Sequence, residues 1–215
     1  ECRFMMHDYS YVVKHGPEMY ETIVAERKPH LARIISESYL VLGDADNARR
    51  YYGLSTEGDS PKSRADWFYS GSVLYAVEDY KGAIESFNRM GMRTDSLGQV
   101  ANYQLANCYI QTRNKVAAME AFKDASLSRY DAKIAEDAYF NYAKLAFDLN
   151  NDPTVFQSYL KEYPEAGKGD RIYSYMAVAS LHDKDYASAI EAYDKIDALD
   201  DNTKDNYMKA NYLRA

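Results

Sequence analysis

The chain is poor in the residues on which catalytic and metal chemistry is usually built. Its 215 residues include two cysteines, Cys2 and Cys108. That pair gives neither a zinc spacing nor a disulfide framework. Cys108 falls inside an apolar helical stretch, where it reads as a small buried hydrophobe. The four histidines, His7, His15, His30 and His182, are scattered, and none is spaced with another His or a Cys as metal ligands would be. There is no G-x-S-x-G nucleophile turn and no Cys/His pairing. The stretch Ala166-Gly167-Lys168-Gly169-Asp170 is not a phosphate loop. Glu162 stands where the first Gly is needed, Gly169 stands where a hydroxyl should follow the Lys, and no strand precedes it. We therefore expect no cofactor, no metal and no enzymatic activity. No apolar run approaches the roughly 18 residues of a membrane span, so no span is expected within these residues, and a lipid anchor outside this chain stays open. Basic residues are also in deficit, with 26 Lys and Arg against 33 Asp and Glu, a net charge of −7 and a pI near 5.2. A nucleic-acid partner would call for a basic stripe instead.

What is present is a repeated phrase. The stretch from Trp67 to Phe87 is answered downstream, with Leu74, Ala83 and Phe87 matched by Tyr109, Ala118 and Phe122, each 35 residues on. Upstream, Tyr39, Gly43-Asp44, Ala48 and Tyr52 fall in the same phase. Leu105, Ala106 and Ala125 complete the third copy. Tyr139, Tyr142, Ala143, Val155 and Tyr159 make a fourth, and Tyr173, Ala177, Asp185-Tyr186, Ala189 and Tyr193 a fifth. A fixed period in the thirties is the mark of stacked helical repeats. Small residues at Gly71, Ala106, Ala143 and Ala177 would let the second helix of each copy approach the first. The aromatics Tyr52, Phe87, Phe122, Tyr159 and Tyr193 would fill the wedge against the next copy.

These residues resemble the tetratricopeptide repeat family, over about residues 29 to 215. The resemblance implies an all-α fold, an α-solenoid of helix-turn-helix repeats wound into a right-handed superhelix. Copies are expected at about 29–62, 64–97, 99–132, 136–167 and 170–201, with a partial one at 202–215 and a divergent helical unit at 1–28. In that unit, Phe4 to His15 reads as a helix stopped by Gly16-Pro17, with a second short helix through Arg27. Turns are expected at Thr56 to Lys62 and at Asn150-Asn151-Asp152-Pro153. The chain opens on Glu1 and ends within an apparent first helix of a repeat. It therefore reads as part of a longer chain or as a mature form, and Tyr207, Met208, Ala210, Tyr212 and Leu213 are expected to leave an uncovered face that self-associates weakly.

The family lines its concave surface with the first helix of each pair. Carried over residue by residue, that implies Arg33, Glu37 and Leu40; Phe68, Ser72 and Tyr75; Tyr103, Asn107 and Ile110; Phe140, Lys144 and Phe147; and Ser174, Val178 and Leu181. The candidate partner-binding groove is Phe68, Ser72, Tyr75, Tyr103, Asn107, Phe140, Lys144 and Phe147. It lacks the cationic set with which chaperone-binding members hold a terminal carboxylate. Its aromatics suit an apolar peptide strip, and they equally suit core packing in a tightly wound array.

Two function classes stay open. One is a non-catalytic scaffold binding a peptide or protein, in the bacterial envelope or periplasm. The phrase Tyr159-Leu160-Lys161-Glu162-Tyr163-Pro164 is similar to endings common in envelope repeat proteins. The other is a docking or sensor segment of a larger regulatory protein, with a cytoplasmic location. Because no ligand cluster is legible, a chelator should leave the melting temperature unchanged. A drop of several degrees would reveal a stabilising ion.

Overall fold

The computed structural model describes residues 1–55, 63–91, 93–151 and 153–214. The loop expected at Thr56 to Lys62, and Asp152 in the expected turn, lie outside the described residues. Among the described residues the fold is all-α, with thirteen α-helices, two 3-10 turns and no strand. The first four helices are α1 (Cys2–Met5), α2 (Tyr9–Thr22), α3 (Lys28–Val41) and α4 (Ala45–Ser55). Then come α5 (Arg64–Ala76), α6 (Tyr80–Arg89), α7 (Ser96–Gln111), α8 (Lys115–Leu127) and α9 (Ala132–Asn150). The last four are α10 (Thr154–Glu162), α11 (Gly169–His182), α12 (Tyr186–Tyr193) and α13 (Asp201–Arg214). Helices α3 and α4, α5 and α6, α7 and α8, and α11 and α12 pack as pairs. Connections this short make each pair antiparallel.

One turn recurs inside these pairs. Gly43, Glu78, Arg113 and Lys184 all sit in the left-handed region, with φ of 81°, 61°, 61° and 62°. Each is followed by an Asx residue whose side chain accepts a backbone N–H three residues on, namely Asp44 from Asn47, Asp79 from Gly82, Asn114 from Ala117 and Asp185 from Ser188. The first residue ends one helix and the second caps the next. The reversal is thus written in two adjacent residues.

Packing within a pair rests on the small and aromatic residues of the repeat. A Cβ on Gly71 would lie 2.6 Å from the Phe87 ring, so α6 can seat that ring only because α5 presents no side chain there. Ala106, Ala143 and Ala177 are fully buried, as are Phe87, Phe122, Tyr159 and Tyr193 to within 2%. In the first pair the buried aromatic is Tyr51 rather than the expected Tyr52. Tyr51 stacks on Tyr39 at 5.8 Å, while the half-buried Tyr52 meets Tyr69 of α5 edge-on at 5.6 Å.

The N-terminal segment corrects the sequence expectation. Gly16-Pro17 does not stop a helix, because α2 runs through both. Gly16 is where α2 crosses α3, and a Cβ there would lie 2.6 Å from Ile35. Pro17 removes the N–H that would bond the Val13 carbonyl, and the Tyr39 hydroxyl donates to that carbonyl instead, at 3.4 Å. Residues 1–28 also share a core with α3 and α4, Val12 packing with Leu31, Ile34, Ile35 and Tyr51.

The chain forms two compact units, Glu1–Tyr142 and Ala143–Ala215. In the second, α12 ends at Tyr193, and the chain then leaves the helix before α13. The Asp170 carboxylate accepts the backbone N–H groups of Asp197 and Ala198 at 3.0 and 3.2 Å, which ties the chain to α11 as a loop. The apolar set expected to lie uncovered on α13 is divided. Ala210 and Tyr207 pack in the core formed with α12, and the Tyr207 hydroxyl donates to Asp194. Met208, Tyr212 and Leu213 are exposed, Tyr212 to 83%.

Two substitutions test the close approach. Phe87→Ala should cost roughly 3–5 kcal/mol as a buried aromatic truncation. Gly71→Ala should cost about 1–3 kcal/mol by overpacking. Urea unfolding of both variants measures this, and an unchanged Gly71→Ala protein would mean that the two helices are not in that register.

Candidate functional site

The first helices of successive pairs in the first unit, α3, α5, α7 and the start of α9, are joined by hydrogen bonds about one repeat apart. Arg33 of α3 pairs with Asp66 of α5, 33 residues on, and its Nε also donates to Glu37 at 2.9 Å. The Tyr69 hydroxyl donates to Ser36, also 33 residues away. Ser36 in turn donates to the Ala48 carbonyl, so one buried chain of hydroxyls links α5, α3 and α4. Ser72 of α5 donates to Gln104 Oε1 of α7 at 2.9 Å. Tyr103 of α7 donates to Asp137 Oδ2 of α9 at 2.7 Å, and Asn141 donates to the same oxygen at 3.0 Å.

Ionisation follows this ladder. Burial alone would lower the Arg33 pKa, but the hydrogen bond and charge of Glu37 and the charge of Asp66 leave it raised. Burial would raise Asp66, but hydrogen bonds from Ser63 and the nearby Arg33 hold its carboxyl below the usual range. Tyr69 and Tyr75 are both raised, chiefly by burial. Tyr103 is pushed up to about 12, by burial first and then by its hydrogen bond to Asp137.

The groove residues expected from the sequence fall into several environments. Phe68 is half-buried and turns onto Phe87 of its own pair, with ring centres 6.3 Å apart. Tyr103 does the same with Phe122 at 5.8 Å. Ser72 and Phe140 are each 6% exposed and thus sit within the packed interior. Tyr75 is half-buried and meets Tyr80 edge-on at 6.1 Å. Asn107 is half-buried and donates to the Tyr103 carbonyl at 3.0 Å. Tyr75 lies close enough to Tyr103 to add to the upward shift of that phenol. Lys144 and Phe147 belong to the second unit, where both meet Tyr175. Phe147 is buried against Phe156 and Tyr175 at 5.5 and 5.7 Å, and the Lys144 ammonium lies 5.5 Å over the Tyr175 ring. The surface-facing part of the expected set in the first unit is therefore Phe68, Tyr75, Tyr103 and Asn107.

Sequence reasoning missed Asp66, Tyr69, Gln104, Asp137 and Asn141. The available signal was complementary polar pairs 32 to 34 residues apart, which differ chemically from one helix junction to the next. Among the described residues no group of three or more His, Cys, Asp and Glu could hold a metal ion. No described helix is long and apolar enough to cross a membrane. Compared with known proteins, the chain matches no family model and no curated protein at a significant level.

The Tyr103–Asp137 bond gives a pH-dependent test. Tyr103→Phe keeps the ring on Phe122 and removes only the hydroxyl, which should cost about 1 kcal/mol. Because the folded phenol is raised above its unfolded value, the stability it adds is full below about pH 10 and is lost as pH rises through about 12. Urea unfolding of both proteins at pH 8 and pH 11 should show the difference shrinking at the higher pH. A constant difference would mean that the hydroxyl is not held as a donor.

Proposed function

We propose that the chain is a non-catalytic scaffold of tetratricopeptide type, whose first-helix face in the first unit binds a peptide or protein partner. The observation that carries this reading is the polar ladder joining α3, α5, α7 and α9. It fixes successive helices in one register and so holds Tyr75, Tyr103 and Asn107 in place before any partner arrives. A pre-set surface binds with less ordering cost than a mobile one. Aromatic rings with an amide beside them suit a partner whose apolar side chains are covered and whose backbone is hydrogen-bonded. The recurring 35-residue phrase, the small-to-aromatic packing within pairs and the Asx-capped turn support the tetratricopeptide type. The envelope location rests on the phrase ending at Tyr163-Pro164 alone. That phrase also has a packing role, since Tyr159 is buried and packs on Tyr163 at 5.5 Å.

A photo-crosslinking residue placed at Tyr75 or Asn107 of the full-length protein in its own cells tests the reading. Both positions should trap the same partner, and the exposed Lys123 of α8 should trap none. Tyr75→Ala should then weaken that complex at least about tenfold. Equal trapping from Lys123, or none from Tyr75 and Asn107, would overturn it.

A further inference from the structure

Away from the ladder, the first unit holds a pocket of about 650 Å³ between the loop before α7 and the loop after α8. Pockets of this size suit a small ligand. Its lining includes Arg93, Asn102, Asp124, Leu127, Arg129 and Tyr130. Two consecutive residues of α7 hold its walls. Gly98 backs directly onto the Arg93 main chain, where any Cβ would collide. Gln99 is fully buried and clamps the opposite wall. Its Nε2 donates to the Ser128 and Asp131 carbonyls at 2.8 and 3.0 Å, and its Oε1 accepts the Asp131 N–H at 2.8 Å. The Arg93 guanidinium is itself positioned, donating to the Phe87 carbonyl at 2.9 Å.

Asn102 stands one turn further along α7. It is 3% exposed, and its side-chain carbonyl oxygen has no hydrogen-bond partner. A buried acceptor left unpaired is costly. The amide's one bond, from Nδ2 to the Arg93 carbonyl, is long at 3.4 Å, and the residue lines the pocket. Leu127 and Tyr130 leave apolar surface at the same place, 69% and 63% exposed.

We propose that this pocket binds a free α-amino acid with an apolar side chain. The ammonium group is the donor that Asn102 lacks, and Asp124 supplies it with a counter-charge. The carboxylate takes the guanidinium groups of Arg93 and Arg129, which match it in a planar, forked geometry. The side chain covers Leu127 and Tyr130. This site is independent of the partner face on α3, α5, α7 and α9.

Calorimetric titration of the whole protein with L-leucine tests the assignment, alongside leucinamide, which lacks the carboxylate, and N-acetyl-leucine, which lacks the ammonium. Leucine should bind, with each analogue at least about tenfold weaker. Arg129→Ala and Asp124→Asn alter exposed side chains, so both variants should fold and both should weaken leucine at least about tenfold. No heat with leucine at about 10 mM, beyond the millimolar range of weak ligands, would overturn the proposal. So would equal binding of leucinamide or N-acetyl-leucine, or leucine affinity unchanged in both variants.

Discussion

The structure depends on a single steric condition, an aromatic ring of one helix lying against a bare stretch of the helix before it. Phe87 occupies the space that a side chain at Gly71 would fill, and the same pairing of small and large recurs at Ala106 with Phe122 and at Ala177 with Tyr193 in sequence position and in burial. Close approach lets each pair bury its apolar stripe with short helices of 8 to 16 residues. Isolated helices of that length are marginal in water. Their persistence is therefore a property of packing, with caps and turns choosing where each helix begins.

Apolar packing of this kind fixes how two helices meet but is tolerant of sliding, because one aliphatic contact is much like another. The polar bonds about one repeat apart remove that tolerance. Ser36 accepts from Tyr69 and donates to Ala48 while fully buried, so it fits only when α3, α4 and α5 are all in register. A half-made network of buried hydroxyls would cost more than an apolar contact. The first unit thus separates two tasks, burial within pairs for stability and hydrogen bonds between pairs for register. The second task is what makes a surface spanning several helices reproducible.

The pairs were legible in the sequence because their determinants are local and repeated. Gly43-Asp44 announces a reversal, Asp185-Tyr186 marks a helix opening, and alanine and aromatic positions return at nearly constant intervals. The N-terminal helix misled for the same reason. Gly16-Pro17 is a local stop signal, but the compensating hydroxyl comes from Tyr39, and the crossing that needs Gly16 involves Ile35. The surroundings of the residues expected on the first-helix face were less legible. A list of positions along a helix does not say which way a ring turns, and Phe68 and Tyr103 turn toward the aromatic residue 19 positions later in their own pair.

The polar residues of α7 carry this furthest. Gln99 and Asn102 interrupt an otherwise apolar face and, read from sequence alone, would simply weaken the core. In the fold they divide the work, since Gln99 exhausts its amide on the loop after α8, whereas Asn102 keeps an oxygen in reserve. A helix that needed only to stack would gain by replacing both with alanine or leucine, because well-packed apolar groups are at least as stabilising as a partly satisfied amide. Retaining an amide whose oxygen the packing does not use is intelligible if something outside the chain uses it. The same reasoning separates this residue from Ser36, whose hydroxyl both donates and accepts within the fold.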